Sequence, residues 1–559
     1  MPFPFCTPFK IMKDSLLHKK NIKYCLFLSL IALYFISLGS YGLMNPDEGR
    51  YAEIPREMLE KGDFITPTLN YVLYFEKPVL HYWQTVLAFS IFGQNEFAAR
   101  FFPCFLGILG VFFTWLFARI IYTEDTANLA AVILGTSILY FFISRINIID
   151  MPVSTYITIS LFSFYFYHKE GKKRWGLSFY GAMALATLSK GLIGIILPCG
   201  TIFWFMILTR RWDIIRKILY LSGISLFFLM TVPWFYLVCQ RNPDFFYFFF
   251  IQEHFLRYTT QIHERYQPLW FFIPFILCGF FPWTPLFFIS GKEIINKKEE
   301  NIFLLVWIIV IFLFFSISSS KLIPYIIPIF PPLAIILAKN LLSLLDKKSG
   351  GKILFINSLN FIISLVLLIA TILIFYRVIP FKKFNEILLY KDHIWNLCYL
   401  YLSFSIVSWL LIRKRKLLPT AYCLFAFLFL FFLKPGFTII GQERSNRELC
   451  ANMLQYLQKN DKIVMCYEYE HDISFYIKRR IILFDSEGEL LFGQKKEREK
   501  GWFLNEEELE ELMRKPLEEN QKIYFLIQNK HLNRYLSTFP LCRETKLIEK
   551  VNHYNVYAR

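Results

Sequence analysis

Long runs of uncharged residues recur throughout this chain and limit what it can fold into. Many of them reach about 18 residues or more, enough for a helix to cross the hydrocarbon core of a bilayer. The mean hydropathy is +0.42, and only 19% of the 559 residues are Asp, Glu, Lys or Arg. A soluble protein of this length carries more charge. The sequence therefore predicts a polytopic α-helical membrane protein.

We expect about thirteen membrane spans from these runs. The first lacks the small residues of a cleavage site near its end and is interpreted as a retained anchor. The predicted spans cover residues 24–43, 98–121, 127–144, 150–168, 176–189, 192–209, 218–240, 269–290, 301–318, 322–341, 353–376, 395–412 and 417–434.

Basic residues concentrate in alternate loops, which predicts the orientation of the chain. The stretches "HKEGKKRW", "RRWDIIRK", "GKEIINKK", "DKKSGGK" and "RKRK" follow every second span, and short basic loops face the cytoplasm. Residues 440–559 hold equal numbers of basic and acidic residues, so the net charge of +18 belongs to the membrane part. This basicity indicates topology and contact with anionic membrane lipids, and we expect no nucleic-acid partner.

Two domains are predicted. Residues 1–435 form a transmembrane domain whose loops 44–97 and 241–268 lie on the outer side, the first with amphipathic interfacial helices and the second mobile. Residues 436–559 form a small α/β domain on the same side, because β-branched and aromatic runs alternate with helical spacing. Those runs are "KIVMCYEYE", "RRIILFD" and "KIYFLIQN", and the helical stretches are "NRELCANMLQYLQKN" and "NEEELEELMRK". No catalytic motif is evident there, so a docking or gating role is expected.

The eleven cysteines are scattered singly, without CxxC or metal-ligand spacing. Cys450, Cys466 and Cys542 lie in the outer domain and allow at most one disulfide. We predict no metal ligands and no certain cofactor, although the outer acids would permit a divalent metal.

The stretch "NPDEGRYAEIPREMLEKGDF" (45–64) follows the first span directly and is rich in carboxylates. As a helix it would lie along the interface, with Glu53, Glu57 and Glu60 on a solvated face. Asp47 precedes this helix, where it is either an N-cap or a catalytic acid.

Other polar residues on the outer side also have two interpretations. Glu76 and Lys77 of "YFEKP" are an interfacial ion pair, or Lys77 stabilises a phosphate leaving group. Asp150 is an N-cap or a functional acid. Lys190 and Lys321 extend to lipid headgroups or bind a substrate phosphate.

Several of these motifs occur together in one order: "PDEGRYAEIPREM", "YFEKPVLHYW", "FGQNEFAARFFP", "EHFLRY", Pro282–Trp283 and "FFSISSSKLIPYIIPIFPPLAI". In this respect the chain resembles the bacterial aminoarabinose transferases, GT-C glycosyltransferases related to protein O-mannosyltransferases. The resemblance covers most of residues 20–345 and extends weakly to "HDISFYIKRRIILFD". It implies a GT-C fold with about thirteen spans. One departure is Val79, where the family usually has a second proline.

The resemblance also implies roles for individual residues. Asp47 and Asp150 correspond to catalytic acids. Lys77, Arg50 and Arg257 correspond to residues that bind the donor phosphate, with Arg265 as an alternative to Arg257. Substrate-binding roles are expected for Glu76, Glu48, Tyr74, Lys190 and Lys321.

From this resemblance we expect an inverting transferase that moves a sugar, 4-amino-4-deoxy-L-arabinose or a related amino sugar, from undecaprenyl phosphate to lipid A. The enzyme would lie in the inner membrane with its active site facing the periplasm. One alternative is a GT-C enzyme acting on protein or another periplasmic glycan. A second is a lipid-linked-sugar transporter, which would be expected to carry charges at the bilayer midplane and internal repeats, and the sequence shows neither.

Overall fold

A computed structural model describes residues 20–256, 267–289, 298–345, 350–378, 384–486, 488–497, 501–517, 520–538 and 545–559. Arg257, Arg265 and Cys542 lie outside these residues. The chain divides into two compact units. The first, here the membrane unit, comprises residues 1–38, 103–233 and 251–439. The second, here the outer unit, comprises residues 39–102, 234–250 and 440–559.

The membrane unit is built from apolar helices. Those wholly within it are Lys20–Phe35, Glu124–Thr136, Ile138–Ser144, Asp150–Glu170, Lys173–Lys190, Ile193–Thr209, Asp213–Ile218, Phe272–Gly279, Glu299–Ile317, Phe330–Ser343, Gly350–Phe375, Phe384–Leu388, Lys391–Leu410 and Leu418–Leu433, with 3₁₀ turns at Thr284–Phe288, Ile323–Ile329, Leu411–Arg413 and Arg415–Leu417. Helices Glu96–Ile121, Leu221–Arg241 and Pro435–Arg444, and the π-helix Tyr247–Leu256, have residues in both units.

The predicted multi-span membrane protein is confirmed, with fewer clear spans than expected. Among the described residues, 7 helices are long and apolar enough to cross a bilayer, or 8 if one bent pair is a single span. That pair, Glu124–Thr136 and Ile138–Ser144, bends by 65° within predicted span 127–144. Predicted span 269–290 is divided between an α-helix and a 3₁₀ turn. Two further apolar helices, Leu26–Phe35 and Ile193–Thr209, are shorter than a full span.

The outer unit combines short helices with two sheets. Its helices are Asp47–Lys61, Leu80–Phe92, Arg447–Met453, His471–Ile477, Leu491–Lys496, Glu506–Arg514 and Leu532–Thr538, with a 3₁₀ turn at Asn529–His531. Its strands are β1 (Thr68–Leu69), β2 (Val72–Leu73), β3 (Lys462–Cys466), β4 (Ile482–Phe484), β5 (Phe503–Leu504), β6 (Ile523–Gln528), β7 (Lys546–Val551) and β8 (Tyr554–Ala558).

The larger sheet has the strand order β5-β4-β3-β6-β8-β7. Strands β5, β4, β3 and β6 are parallel, and β8 pairs antiparallel with both β6 and β7. The predicted runs around β3, β4 and β6 and both predicted helices are confirmed. The β7–β8 hairpin was not predicted, because its exposed, charged β7 lacks the apolar run of a buried strand.

Local sequence signals account for the Asp47–Lys61 helix. It ends at Gly62, whose φ of 66° is the left-handed conformation that glycine adopts at helix ends. The antiparallel β1–β2 hairpin follows it and pairs Thr68 with Leu73. This arrangement places the acidic helix beside the "YFEKP" segment, which comes directly after β2.

Candidate active site

Arg50 is the centre of a charged cluster in the outer unit. Its side chain is almost fully buried, and its Nη2 lies 3.0 Å from Asp47 Oδ1 and 3.2 Å from Glu489 Oε1. Its Nη1 donates a hydrogen bond to the Tyr74 hydroxyl at 3.1 Å. A guanidinium group suits this arrangement because its donors are fixed in a plane. Arg50 therefore joins the acidic helix, the "YFEKP" segment and the C-terminal part of the unit.

Asp47 presents its carboxylate outward from this cluster. It is the first residue of the helix, and Pro46 occupies the N-cap position without a side-chain hydrogen bond, so the N-cap interpretation of Asp47 is wrong. The Asp47 side chain is 56% exposed, while Arg50 is only 6% exposed. One end of the carboxylate is thus fixed and the remainder is open to a substrate.

Glu489 contacts the same Nη2 atom of Arg50 as Asp47 does. Burial alone would raise the pKa of Glu489, but the Arg50 charge, His471 and Lys77 outweigh it, so the pKa is lowered to about 2. Glu489 therefore stays ionised. Sequence reasoning did not select Glu489 or His471, and the only signal there is the weak resemblance at "HDISFYIKRRIILFD", which begins with His471.

Glu76 and Lys77 lie in the same unit, after β2. The Lys77 ammonium group is 2.9 Å from the Glu76 carbonyl oxygen and 3.6 Å from its carboxylate. The neighbouring Phe75 is held between the rings of Phe245 and Phe492, with centroids at 5.2 and 5.6 Å. These contacts fix the backbone that carries Lys77.

Tyr82, in the helix that follows, is a residue that the sequence reasoning missed. Its ring is fully buried near Tyr51, and its hydroxyl has no hydrogen-bond partner among the described residues. The charges of Arg50, Glu76 and Glu489 all act on this hydroxyl. Its position in "YFEKPVLHYW" is the only signal that could have indicated it.

Glu48 forms a fully buried ion pair with Arg100. Arg100 Nε and Nη2 each lie 2.7 Å from one Glu48 oxygen, and neither side chain is exposed. Arg100 also donates to the carbonyl oxygens of Tyr41 and Gly42. Substrate contact would require this pair to open, so the structure gives Glu48 a buried, structural position, and its substrate-binding role stays a prediction.

The prediction that Glu53 and Glu57 lie on a solvated face of the helix is wrong. Both are fully buried. Arg56 donates to both Glu53 oxygens at 2.6 and 2.7 Å, and the Thr68 hydroxyl donates to Glu57 at 2.5 Å. Burial raises the pKa of both carboxyl groups, while Arg56 opposes this for Glu53. The β1–β2 hairpin covers Glu57, and helical periodicity alone cannot reveal such a contact.

The helix His471–Ile477 packs closely on the acidic helix. A Cβ atom on Gly49 would lie 2.5 Å from the backbone nitrogen of Asp472, so only glycine allows this approach. Asp472 is buried and accepts hydrogen bonds from the Asn446 backbone and side chain. Its own backbone nitrogen donates to the Asn45 side chain at 3.2 Å.

Asp150 and Lys190 pair with each other in the membrane unit. Lys190 Nζ contacts Asp150 Oδ1 and lies 4.2 Å from the centroid of the Tyr325 ring. Ile149, not Asp150, occupies the N-cap position, so the N-cap interpretation of Asp150 is wrong. Lys190 is buried by this pairing, so it does not extend to lipid headgroups.

Lys321 is also buried, at 4% exposure. Its ammonium group donates to the carbonyl oxygens of Gln267 and Ser318, each at 2.7 Å. Extension of Lys321 to headgroups therefore does not fit the structure.

The expected residues thus fall into two groups. The outer unit contains Asp47, Glu48, Arg50, Tyr74, Glu76 and Lys77, and the membrane unit contains Asp150, Lys190 and Lys321. Within the described ranges, no three His, Cys, Asp or Glu side chains come together as metal ligands. Cys450 and Cys466 are both buried.

Comparisons with known proteins agree with this architecture. Residues 76–237 match the family model of dolichyl-phosphate-mannose-protein mannosyltransferases, and residues 449–535 match the aminoarabinose transferase C-terminal domain. The chain is 29% identical to the undecaprenyl phosphate-alpha-4-amino-4-deoxy-L-arabinose arabinosyl transferase of Wigglesworthia glossinidia brevipalpis, over 93% of this chain and 94% of that protein. It also superposes on the crystal structure of ArnT from Cupriavidus metallidurans bound to undecaprenyl phosphate, with a TM-score of 0.85, 26% identity, and coverage of 96% of this chain and 98% of that chain. Over nearly its whole length the chain is therefore similar to aminoarabinose transferases.

Sequence identity to these transferases is higher over a part of the chain than over its whole length. The transferase of Pectobacterium atrosepticum is 34% identical over 58% of this chain and 60% of its own length. The matched mannosyltransferase region includes Glu76, Lys77, Asp150 and Lys190, and the matched aminoarabinose transferase region includes His471 and Glu489. Charged residues of both units therefore lie in family-matched sequence.

Glu470, beside His471, gives a prediction about stability. Burial raises the pKa of Glu470 from 4.5 to about 7, with further contributions from Asp472 and Glu468, while a hydrogen bond from Gln528 opposes the shift. Between these values the folded protein binds more protons than the unfolded chain, so the free energy of unfolding falls as the pH rises. We expect Glu470→Gln to raise the apparent Tm at pH 8 and to change it little at pH 5. Thermal unfolding in detergent checks this.

The exposed Glu507 supplies a matched control, since Glu507→Gln removes the same charge without relieving a buried carboxylate. A Glu470→Gln protein that gained nothing at pH 8 would show that Glu470 does not titrate in this range.

Proposed function

We propose that this protein transfers 4-amino-4-deoxy-L-arabinose from undecaprenyl phosphate to lipid A. The reaction would take place at the periplasmic face of the inner membrane, with inversion at the anomeric carbon. The observation that carries the proposal is the exposed Asp47 carboxylate, held by Arg50 in the unit that also contains Lys77. The named relatives act with a sugar donor on undecaprenyl phosphate, and the Cupriavidus structure contains that lipid phosphate.

Lys77 is assigned to the leaving group. A lipid phosphate leaves with negative charge, so the reaction needs fixed positive charge rather than a proton donor. The fixed Phe75 backbone presents the Lys77 ammonium group without reorganisation. Arg257 is proposed as a second cation for this phosphate, on the basis of the sequence motif alone.

Asp47 is assigned to the acceptor side. If a hydroxyl attacks the sugar, Asp47 is the general base that takes its proton. If a lipid A phosphate attacks, the nucleophile is already anionic, and Asp47 orients the acceptor or binds the amine of the sugar. Because Arg50 fixes one carboxylate oxygen, the other is available for either task.

Further roles follow for the paired residues. Asp150 is proposed as a second catalytic acid, with Lys190 setting its orientation. Glu76 and Tyr74 would shape the donor site, Glu76 through Lys77 and Tyr74 through Arg50. Lys321 donates to the Ser318 carbonyl oxygen and is proposed to contribute to substrate binding through the segment that carries Ser318.

Mass spectrometry of lipid A tests the proposal. A host that lacks this transferase but makes the lipid-linked donor would carry the wild-type gene, Asp47→Asn or no gene. We expect an aminoarabinose increment on lipid A with the wild type only, because asparagine keeps the shape of Asp47 but cannot accept a proton or pair with an amine. Immunoblots establish equal amounts of protein.

Unchanged lipid A in every strain, with protein and donor both present, would overturn the lipid A assignment. A sugar increment on a periplasmic protein or another glycan would then favour the alternative acceptor. Retained transfer by Asp47→Asn would overturn the role of Asp47 while leaving the activity in place.

A further inference from the structure

His471 lies beside Glu489 and is not used by the mechanism above. Its Nε2 is 3.5 Å from Glu489 Oε2, whereas the other Glu489 oxygen faces Arg50 at 3.2 Å. The imidazole is 4% exposed and packs edge-on against the Tyr469 ring, with 4.7 Å between centroids. Its Nδ1 has no hydrogen-bond partner among the described residues. Of the two ring nitrogens, Nε2 therefore makes the polar contact seen among the described residues.

The backbone that carries His471 is held firmly against the acidic helix. The adjacent Asp472 is fixed by Asn446 and Asn45, and Gly49 lies directly against its backbone. Both helices meet here at their N-terminal ends. His471 therefore has a fixed position relative to Arg50, whereas Glu489 lies in a turn before a short helix and needs an anchor.

We propose that His471 is a positioning residue that fixes the Glu489 carboxylate against Arg50 and thereby orients the Asp47 carboxylate. This inference rests on the proposed function of Asp47. Four groups form the chain of contacts: His471 holds one oxygen of Glu489, the other oxygen holds Arg50 Nη2, and the same Nη2 holds Asp47 Oδ1. Arg50 Nη2 is shared between two carboxylates, so a shift of Glu489 changes the geometry of the Asp47 contact.

The charges around His471 favour this role. Glu489 faces its Nε2, Asp472 follows it on its own helix, and Glu470 precedes it. Arg50 lies beyond Glu489, and Tyr469 covers the ring. His471 thus supplies a donor to a carboxylate that would otherwise have only Arg50 to fix it among the contacts described above.

Two substitutions distinguish the contribution of the His471 hydrogen-bond donor from that of its ring packing. His471→Gln places an amide N–H close to the position of Nε2, and His471→Phe keeps the ring packing on Tyr469 without a donor. We expect His471→Phe to lower kcat about tenfold, as for loss of one charge-assisted hydrogen bond, with little change in KM for the lipid-linked donor. His471→Gln should recover most of kcat. The assay is sugar transfer by the full-length protein in proteoliposomes.

A double-mutant cycle with Glu489→Gln decides whether His471 acts through Glu489. If it does, His471→Phe has little further effect in the Glu489→Gln background. Losses that simply multiply, or a His471→Phe protein with wild-type kcat, would overturn the proposal. Equal losses for phenylalanine and glutamine would also overturn it, because the donor would then not be the feature that matters.

Thermal unfolding of the four proteins of this cycle gives a readout that does not depend on the substrate. They are the wild type, His471→Phe, Glu489→Gln and the double variant. Coupling between positions 471 and 489 in apparent Tm, with no transfer by the wild type, would mean that the proposed function fails while the contact stands. Wild-type transfer without any coupling would mean that the function stands and the His471 proposal fails.

Discussion

Replacing Lys77 with methionine is expected to lower kcat for sugar transfer by about two to three orders of magnitude, comparable to removing one fixed donor from an oxyanion site. The lipid phosphate gains negative charge as the bond to the sugar breaks, and the Lys77 ammonium group is the fixed cation beside Glu76 in the "YFEKP" segment. Methionine preserves the length and packing of the stem. The loss should therefore appear in kcat, measured with purified protein and lipid-linked donor, and not in the apparent Tm.

Lys515→Met is a suitable control, since Lys515 is an exposed lysine of the same unit that pairs with Glu511 on a surface helix. Surface pairs of this kind contribute little, so we expect normal transfer. Lys77→Arg provides a second comparison. It keeps the charge but changes its shape, and should recover part of the rate. Wild-type activity in Lys77→Met would show that another cation stabilises the negative charge of the leaving phosphate.

Contacts between residues close together in sequence are the ones that spacing can predict. Asp47 and Arg50 lie one helical turn apart, and the structure joins them at 3.0 Å. Glu76 and Lys77 are adjacent and also in contact. Within a single helix or loop, spacing determines which side chains can meet.

Contacts made by distant segments were not predictable. Glu53 and Glu57, expected on a solvated face, are both buried, Glu57 under the β1–β2 hairpin and Glu53 against Arg56. Arg50 meets Glu489, which belongs to a segment without a recognisable motif. A one-dimensional pattern shows which face of a helix is polar, but not whether another part of the chain satisfies those groups in the interior.

The same limit applies to the lysines near the predicted spans. An isolated lysine at the end of an apolar helix ordinarily extends to the headgroups. Lys190 instead pairs with Asp150, and Lys321 donates to two carbonyl oxygens. Both lysines are buried because partners elsewhere in the membrane unit compensate for the loss of water.

Breaking the Glu48–Arg100 pair is expected to have the largest effect on stability. Neither side chain is exposed, and Arg100 donates two hydrogen bonds to Glu48 and two to backbone carbonyl oxygens. Glu48→Ala leaves the guanidinium charge buried without its counterion, at a cost of about 3–5 kcal/mol. We expect a much lower apparent Tm and less folded protein in detergent extracts, measured by fluorescence-detected size exclusion with a temperature series.

The double variant Glu48→Leu/Arg100→Met distinguishes a charge effect from a packing effect. Removing both charges removes the uncompensated ion, so the double variant should be more stable than Glu48→Ala, although it still loses the hydrogen bonds to Tyr41 and Gly42. If the double variant recovered folding and transferred sugar, Glu48 would serve the scaffold rather than the substrate. If it folded but did not transfer, Glu48 would have a direct role in the reaction despite its burial.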